Sequence, residues 1–349
     1  MSTEIAIAGR RVGRRQPPLI VAELSGNHNG SLDRALALID AAKEAGADAV
    51  KMQTYTADTI TIDHPGAEFR IAGGPWDGRT LHDLYEEAHT PWEWHAAMFA
   101  RARGHGMLAF SAPFDDSAVD FLETLDCPAY KIASFELVDL PLIRRAASTG
   151  KPLIMSTGMA NLDEIGEAVA AARDAGCREF VVLHCVSSYP APDEDTNLLT
   201  LPHLAETFSV PTGLSDHTLG TAVAVAAIGL GAVLIEKHLT LARTDGGPDS
   251  GFSLEPSEFA ALARDCRAAY AALGRVHYDL KGSEAGNIQF RRSLYFVADL
   301  AAGEAIGPEH VRSIRPGYGL APKFLDTVLG KRAARPVTRG TPVTWDAIE

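Results

Sequence analysis

GLSDHTLGTAVAVAAIGLGAVLIEKHLTLARTDGGPDS, residues 213–250, holds two short apolar runs that each end in a polar cluster, with an apolar stretch of helical character between them. Side chains two apart on a strand share a face. Read as strand, helix and strand, the stretch therefore places Ser215 and His217 together at one strand end, and Glu236 and His238 together at the next. Asp216 and Lys237 then face the other way. If the strands are parallel neighbours about 4.8 Å apart, both imidazoles reach a single divalent cation, for which His is a common ligand. A lone histidine of this kind is more often a satisfied core residue. The repeat of polar-x-His at two successive strand ends reverses that preference.

Outward from this stretch, β-rich apolar runs alternate with helix-period segments along the chain. The strands are read at LIVAEL (19–24), AVKMQT (49–54), LAFSAP (108–113), AYKIAS (129–134), LIMSTG (153–158), FVVLHC (180–185), TGLSDH (212–217) and VLIEKH (233–238). Helical segments such as SLDRALALIDAAKEAGA, TPWEWHAAMFARARGHG, NLDEIGEAVAAARDAG and PSEFAALARDCRAAYAALG separate them, several opened by Ser, Asn or Asp and closed by Gly. Eight strands each followed by a helix predict a (β/α)8 TIM barrel, whose active site is built at the carboxyl ends of the strands. A doubly wound sheet is the alternative, but no GxGxxG follows the first strand. The barrel explains why nearly every strand begins apolar and ends polar. One longer excursion, 59–88, carries Trp76 and several acidic residues and reads as a lid or substrate-shaping insert.

A short hairpin (IAIAGRRVG) precedes the barrel. Beyond Gly274, residues 275–289 read as a polar linker, and 290–349 as short strands separated by Gly and Pro turns, a small β-rich second domain. Its core is too modest to stand confidently alone, so packing against a barrel is expected. The formal charge of −13 argues against nucleic acid or an anionic membrane as partner, while a few inward-facing cations still permit an anionic substrate. No signal-like segment and no run near 18 apolar residues is present, and a soluble cytoplasmic protein is expected. Cys127, Cys177, Cys185 and Cys266 show neither metal nor disulfide spacing and are expected reduced and mostly buried.

Lys51 and Lys131 sit inside apolar runs, where an unpaired ammonium is expensive. With Ser134, Ser156 and Ser215 they suit a phosphate and a carboxylate at the barrel mouth. Two His ligands leave coordination positions open, suiting Zn2+ or, with oxygen-bearing neighbours, Mn2+, and a carbonyl could be polarised there. Glu23 is the first choice for orienting or deprotonating a water, and Glu236 the second. Asp249 suits a sugar hydroxyl or an ammonium, or a simple turn role.

The blocks VAELSGNHNG (21–30), VKMQTY (50–55), YKIAS (130–134), STGMA (156–160), LHCVSSYPAP (183–192), GLSDHTLG (213–220), EKHLTLARTDGGPDSGFSLEP (236–256), FRRSLY (290–295) and IRPGYGL (314–320) resemble those of the sialic acid synthase family, in order along nearly the whole chain. The resemblance implies a barrel joined to an antifreeze-like (SAF) domain in a domain-swapped homodimer. It also implies condensation of phosphoenolpyruvate with the open-chain aldehyde of an N-acetylated amino sugar, using a divalent metal, commonly Mn2+. AELSGNHNG, LHDLYEEAHTPWEWH (81–95), TDGGPDS and IRPGYGL resemble most the branch that makes pseudaminic acid, whose acceptor is 2,4-diacetamido-2,4,6-trideoxy-L-altrose. Neuraminic or legionaminic acid formation is the nearest alternative. Carried over, the resemblance makes His217 and His238 the metal ligands and gives phosphoenolpyruvate to Lys51, Lys131, Ser134, Ser156 and Ser215. It places Gln53, Tyr189 and Asp249 near the sugar, and has Arg315 reach the acceptor's acyl group from the partner's small domain. Ala112 and Ser187 depart from neuraminate-forming members, where Thr and Asn are common, which fits a different acceptor.

Two other classes compete. A metal-dependent barrel aldolase or isomerase would use the same His pair without phosphoenolpyruvate, and a non-catalytic sugar-binding protein or scaffold would need no metal-aldehyde geometry.

Overall fold

Glu4–Ile7 (β1) and Arg10–Gly13 (β2) pair antiparallel and bury Ile5, Ile7 and Val12 in the same apolar core as the strands that follow. The computed structural model describes residues 4–349. Eight parallel strands then close into a barrel: Leu19–Glu23 (β3), Ala49–Thr54 (β4), Leu108–Pro113 (β5), Tyr130–Ile132 (β6), Leu153–Ser156 (β7), Phe180–Cys185 (β8), Thr212–Asp216 (β9) and Leu234–His238 (β10), with β10 pairing back onto β3. Nearly every strand residue is buried, as in parallel sheets covered on both faces. The (β/α)8 expectation is met strand for strand.

The helices begin where their caps were read. Ser31 accepts from Arg34 N at the start of Leu32–Glu44, and Asn161 with Glu164 forms a capping box on Leu162–Asp174. The AYKIAS strand is shorter than expected. Only Tyr130–Ile132 ladders, because Ser134 opens a 3-10 turn that swings the chain outward. The 59–88 excursion is folded, with a helix at Leu81–Ala88 and an antiparallel bridge between Arg70 and Thr80.

Register sets the functional side chains level with one another. His238 lies beside Glu23, Glu23 beside Lys51, and Glu236 beside Ser215. Gly213 lets β9 and β10 approach, since a Cβ there would sit 2.5 Å from the Leu234 carbonyl oxygen. On the outer face of the same two strands, Lys237 Nζ meets Asp216 Oδ2 at 2.6 Å and the Thr218 carbonyl at 2.6 Å, all buried. Asp216 and Lys237 thus face away from the histidines, as period-two alternation requires.

The chain divides into two compact units at Gly274 and Arg275. In the second, Ser293–Phe296 (β11) pairs antiparallel with Val311–Ile314 (β12), over a core including Leu294, Phe296, Val311, Val328 and Val343. The Pro- and Gly-interrupted tail contributes isolated bridges, such as Leu300 to Val337 and Ala333 to Ile348, in place of the continuous strands read from sequence. Residues 282–290, within or beside the predicted linker, form exposed 3-10 turns. All four cysteines are free and buried. Among the described residues no helix is long and apolar enough to cross a membrane.

Candidate active site

Four charged side chains from four strands meet at the carboxyl end of the barrel. Lys51 Nζ lies 2.6 Å from Glu236 Oε1 and 3.0 Å from Glu23 Oε2, and Lys131 Nζ lies 3.3 Å from the same Glu236 oxygen, which also accepts from Ser215 Oγ at 3.2 Å. Glu23 Oε1 accepts from Gln53 Nε2 at 2.9 Å and from the Ser25 N–H at 3.1 Å. An ammonium has three N–H donors, so Lys51 keeps one and Lys131 keeps two for an anion in the space above. The two carboxylates are driven apart electrostatically. Burial raises both, but Lys131 and Lys51 together pull Glu236 down to about 2, whereas for Glu23 burial outweighs Lys51 and leaves it raised. Glu236 is thus a fixed anion, and Glu23 is the one able to hold a proton.

Beside this cluster the imidazoles of His217 and His238 stand with ring centroids 5.4 Å apart. His217 Nδ1 is 2.9 Å from the Val186 carbonyl, to which it donates, and His238 Nδ1 is 3.2 Å from Ser25 Oγ. The neutral His217 ring therefore keeps its lone pair on Nε2, and His238 does the same when its Nδ1 donates to Ser25. Burial, with His217 and Lys51 nearby, holds His238 well below the usual imidazole range and so neutral, the state a metal ligand needs. Among the described residues no set of three His, Cys, Asp or Glu gathers as a metal cluster. Two nitrogens with remaining positions open to water or substrate oxygen fit a Mn2+-like cation.

Both groups open into one cavity of about 460 Å³. Lys51, Gln53, Lys131 and Glu236 form its floor with Ser134, Ser156 and Ser215; His217, His238, Tyr189 and Asp249 form one side. Ser156 Oγ and Glu236 Oε2 are buried without a hydrogen-bond partner, so polar groups stand ready for a ligand. Ser134 Oγ accepts from the Gly158 N–H at 3.2 Å, and a side chain at 158 would collide with Ser134 and Ser187. The roof is apolar: Ile60, Ile71, Trp76, Leu81 and Leu84 come from the excursion after β4, joined by Phe252. Trp76 donates its indole N–H to the Pro248 carbonyl at 2.7 Å and lies near the rings of Tyr189 and Phe252.

Two expected residues stand elsewhere. Glu23 is buried behind Lys51 and Gln53 and does not itself line the cavity, and Arg315, exposed just after β12, belongs to the second unit. Ala112 and Ser187 do not line the cavity either. Sequence reasoning passed over Glu136, which does. Burial pushes its carboxyl up to about 7, and its Oε2 has no partner. An acid two residues beyond Ser134, where the chain leaves β6, was the sign of it. The roof comes largely from the 59–88 excursion, which its length and Trp76 mark as a lid or substrate-shaping insert; the contact of Trp76 with Pro248 arises only through the fold.

Known proteins resemble this chain along most of its length. Residues 291–349 match the SAF domain model. The chain is 42% identical to a pseudaminic acid synthase of Helicobacter pylori, over 96% of this chain and 98% of that protein. It is 45% identical to a pseudaminic acid synthase of Campylobacter jejuni, over 92% and 94%. The crystal structure of the spore coat polysaccharide biosynthesis protein spsE from Bacillus subtilis superposes with a TM-score of 0.69 at 33% identity, covering 99% of both chains. With residues 38–278 matching the family model as well, the chain belongs to the NeuB family.

Proposed function

We propose that this protein is a pseudaminic acid synthase, condensing phosphoenolpyruvate with 2,4-diacetamido-2,4,6-trideoxy-L-altrose and water to give pseudaminic acid and phosphate. The observation that carries the reading is a single cavity with a cationic floor and an apolar roof, in a chain that is similar along almost its whole length to proteins named for that activity. The floor suits a small polyanion. Lys51 and Lys131 offer three unused N–H donors, and Ser134, Ser156 and Ser215 offer hydroxyls to phosphate and carboxylate oxygens. The roof suits the acceptor's methyl and two acetamido groups, since a hydroxyl facing Ile71, Trp76 and Leu81 would be left without a partner.

His217 and His238 would hold a divalent cation, Mn2+ by the chemistry of the donor set, and when bound it supplies Lewis-acid polarisation of the acceptor's aldehyde. The floor lysines hold the enol phosphate with its methylene carbon toward that aldehyde, which shapes the two substrates for attack. The new C–C bond joins these two carbons, and positive charge develops at the carbon bearing carboxylate and phosphate. The fixed anion of Glu236 faces that charge. Water adds at the same carbon and its C–O bond to phosphate breaks, so phosphate leaves with the bridging oxygen. Glu136, in the cavity wall, is placed to take the proton of that water directly, and Glu23, behind Lys51 and Gln53, would take it through a relaying water. The same reading takes the protein to act in the cytoplasm as a domain-swapped homodimer, with Arg315 meeting the acceptor's acyl group.

Incubation with phosphoenolpyruvate, Mn2+ and a panel of amino sugars, with mass analysis of the nine-carbon product and assay of phosphate, tests the proposal. Product and phosphate are expected with the 2,4-diacetamido-6-deoxy acceptor above the others. Turnover confined to N-acetylmannosamine or to the legionaminate precursor would move the assignment to that branch. Aldehyde chemistry without phosphate release would replace it with an aldolase or isomerase. In 18O-water, label in the released phosphate would reject C–O cleavage.

A further inference from the structure

Ser25 is held at φ +40°, in the left-handed region that residues other than glycine, asparagine and aspartate seldom enter. Strain of this kind persists where surroundings over-determine it, and it gathers at functional sites. The surroundings of Ser25 are particular. It is buried, its N–H donates to Glu23 Oε1 at 3.1 Å, and its Oγ lies 3.2 Å from His238 Nδ1. The Gly26 N–H approaches Asp249 Oδ2 at 3.4 Å, and Ser25 nearby favours the Asp249 anion against a burial that raises it. His238 and Asp249 both line the cavity.

A hydroxyl has one hydrogen to give and two lone pairs to receive with. The carboxylate of Asp249 can only accept, so with the hydroxyl hydrogen turned towards it the Ser25 oxygen is free to accept Nδ1–H from His238 at 3.2 Å. That contact suits the Nδ1–H tautomer, in which Nε2 keeps the lone pair. His217 reaches the same tautomer by donating to the Val186 carbonyl. We propose that Ser25 is a positioning residue that ties the carboxylate of Asp249 to the imidazole of His238, holding that ring with Nε2 free for the cation. The backbone strain is what puts its hydroxyl between the two. One site thereby links the cation side of the cavity to the carboxylate that faces the acceptor. The inference rests on the cation reading of His217 and His238.

Two variants separate the hydroxyl from the backbone. Ser25→Gly removes the hydroxyl and relieves the left-handed strain, whereas Ser25→Ala removes the hydroxyl and keeps the strain. Mn2+ is titrated into the full-length protein without substrates, followed by loss of the free-ion electron paramagnetic resonance signal. Both variants are expected to bind Mn2+ roughly ten- to a hundredfold more weakly than wild type, with Ser25→Gly melting at least as high as Ser25→Ala. In turnover, KM for the acceptor is expected to rise in both while KM for phosphoenolpyruvate holds. Mn2+ affinity within twofold of wild type in both variants overturns the proposal, as does weakening confined to a variant that also melts lower. Because the titration needs no sugar, a wild type that binds Mn2+ and yet turns over no acceptor would remove the proposed function and leave the Ser25 result standing.

Discussion

Glu136 and Glu23 are both raised by burial at the barrel mouth. Glu136 has its carboxyl pushed by burial from 4.5 up to about 7. A folded-state value above the unfolded one means that the native protein holds the extra proton between pH 4.5 and 7. Stability from this group therefore falls as pH rises through that window, and is lowest above it. Glu136→Gln is expected to be more stable than wild type at pH 8 by on the order of 3 kcal/mol, and close to it at pH 4.5. Urea unfolding at the two pH values measures this, and a gap that does not widen with pH would mean an ordinary carboxyl. Glu23→Gln keeps the shape and removes the negative charge beside Lys51 and Gln53. Its kcat is expected to fall by roughly a hundredfold or more, with phosphoenolpyruvate binding, read by calorimetry, nearly unchanged. Near-normal turnover would take Glu23 out of the proton chemistry.

At the scale of elements, each strand carries two separate jobs on its two faces. On the outer face of β9 and β10, Lys237→Met would strand Asp216 as a buried anion with only Thr218 to satisfy it. Such a loss costs about 3–5 kcal/mol, to be read as a lower urea midpoint, with Mn2+ affinity of the folded fraction unchanged because the inner face is intact. In the excursion, Trp76→Ala removes the tie to the Pro248 carbonyl and part of the roof. KM for the acceptor should rise roughly tenfold or more while KM for phosphoenolpyruvate stays put; equal rises in both would mean that the roof does not sort substrates. The barrel strands were legible in the sequence because each is an apolar run bounded by a cap, and period-two alternation then assigned Ser215, His217, Glu236 and His238 to the inner face. AYKIAS ran past its true end because propensity does not reveal where a ladder stops. The tail reads as short strands but forms isolated bridges, because Pro336, Pro342 and Gly340 break the ladders that its apolar residues favour. Glu136 was hidden by its position in the turn beyond a strand end, and of Trp76, whose excursion reads as substrate-shaping, only the partner 172 positions away was out of reach.

Over the whole molecule, a chain of formal charge −13 encloses a floor where ammonium groups converge, so bulk charge and site charge point in opposite directions. The boundary between the two units is marked by exposure: Val276, Tyr278 and Leu280 are all open to solvent, Tyr278 at 93%. Brief chymotrypsin treatment of the native protein is expected to cut first after Tyr278, giving two fragments by mass spectrometry. Early cuts inside the barrel instead would show that this segment is protected. The floor of the cavity is spread over strands locked by ladder hydrogen bonds, whereas most of its roof comes from one continuous stretch after β4, fastened by a small number of side-chain ties. On the proposed function, bond-making and guest choice thus fall to different parts of the chain. On that same reading, exchanging the stretch after β4 would change which guest is admitted and leave the strands beneath it as they are, so a swap of that one segment is the shortest route to a different nine-carbon acid.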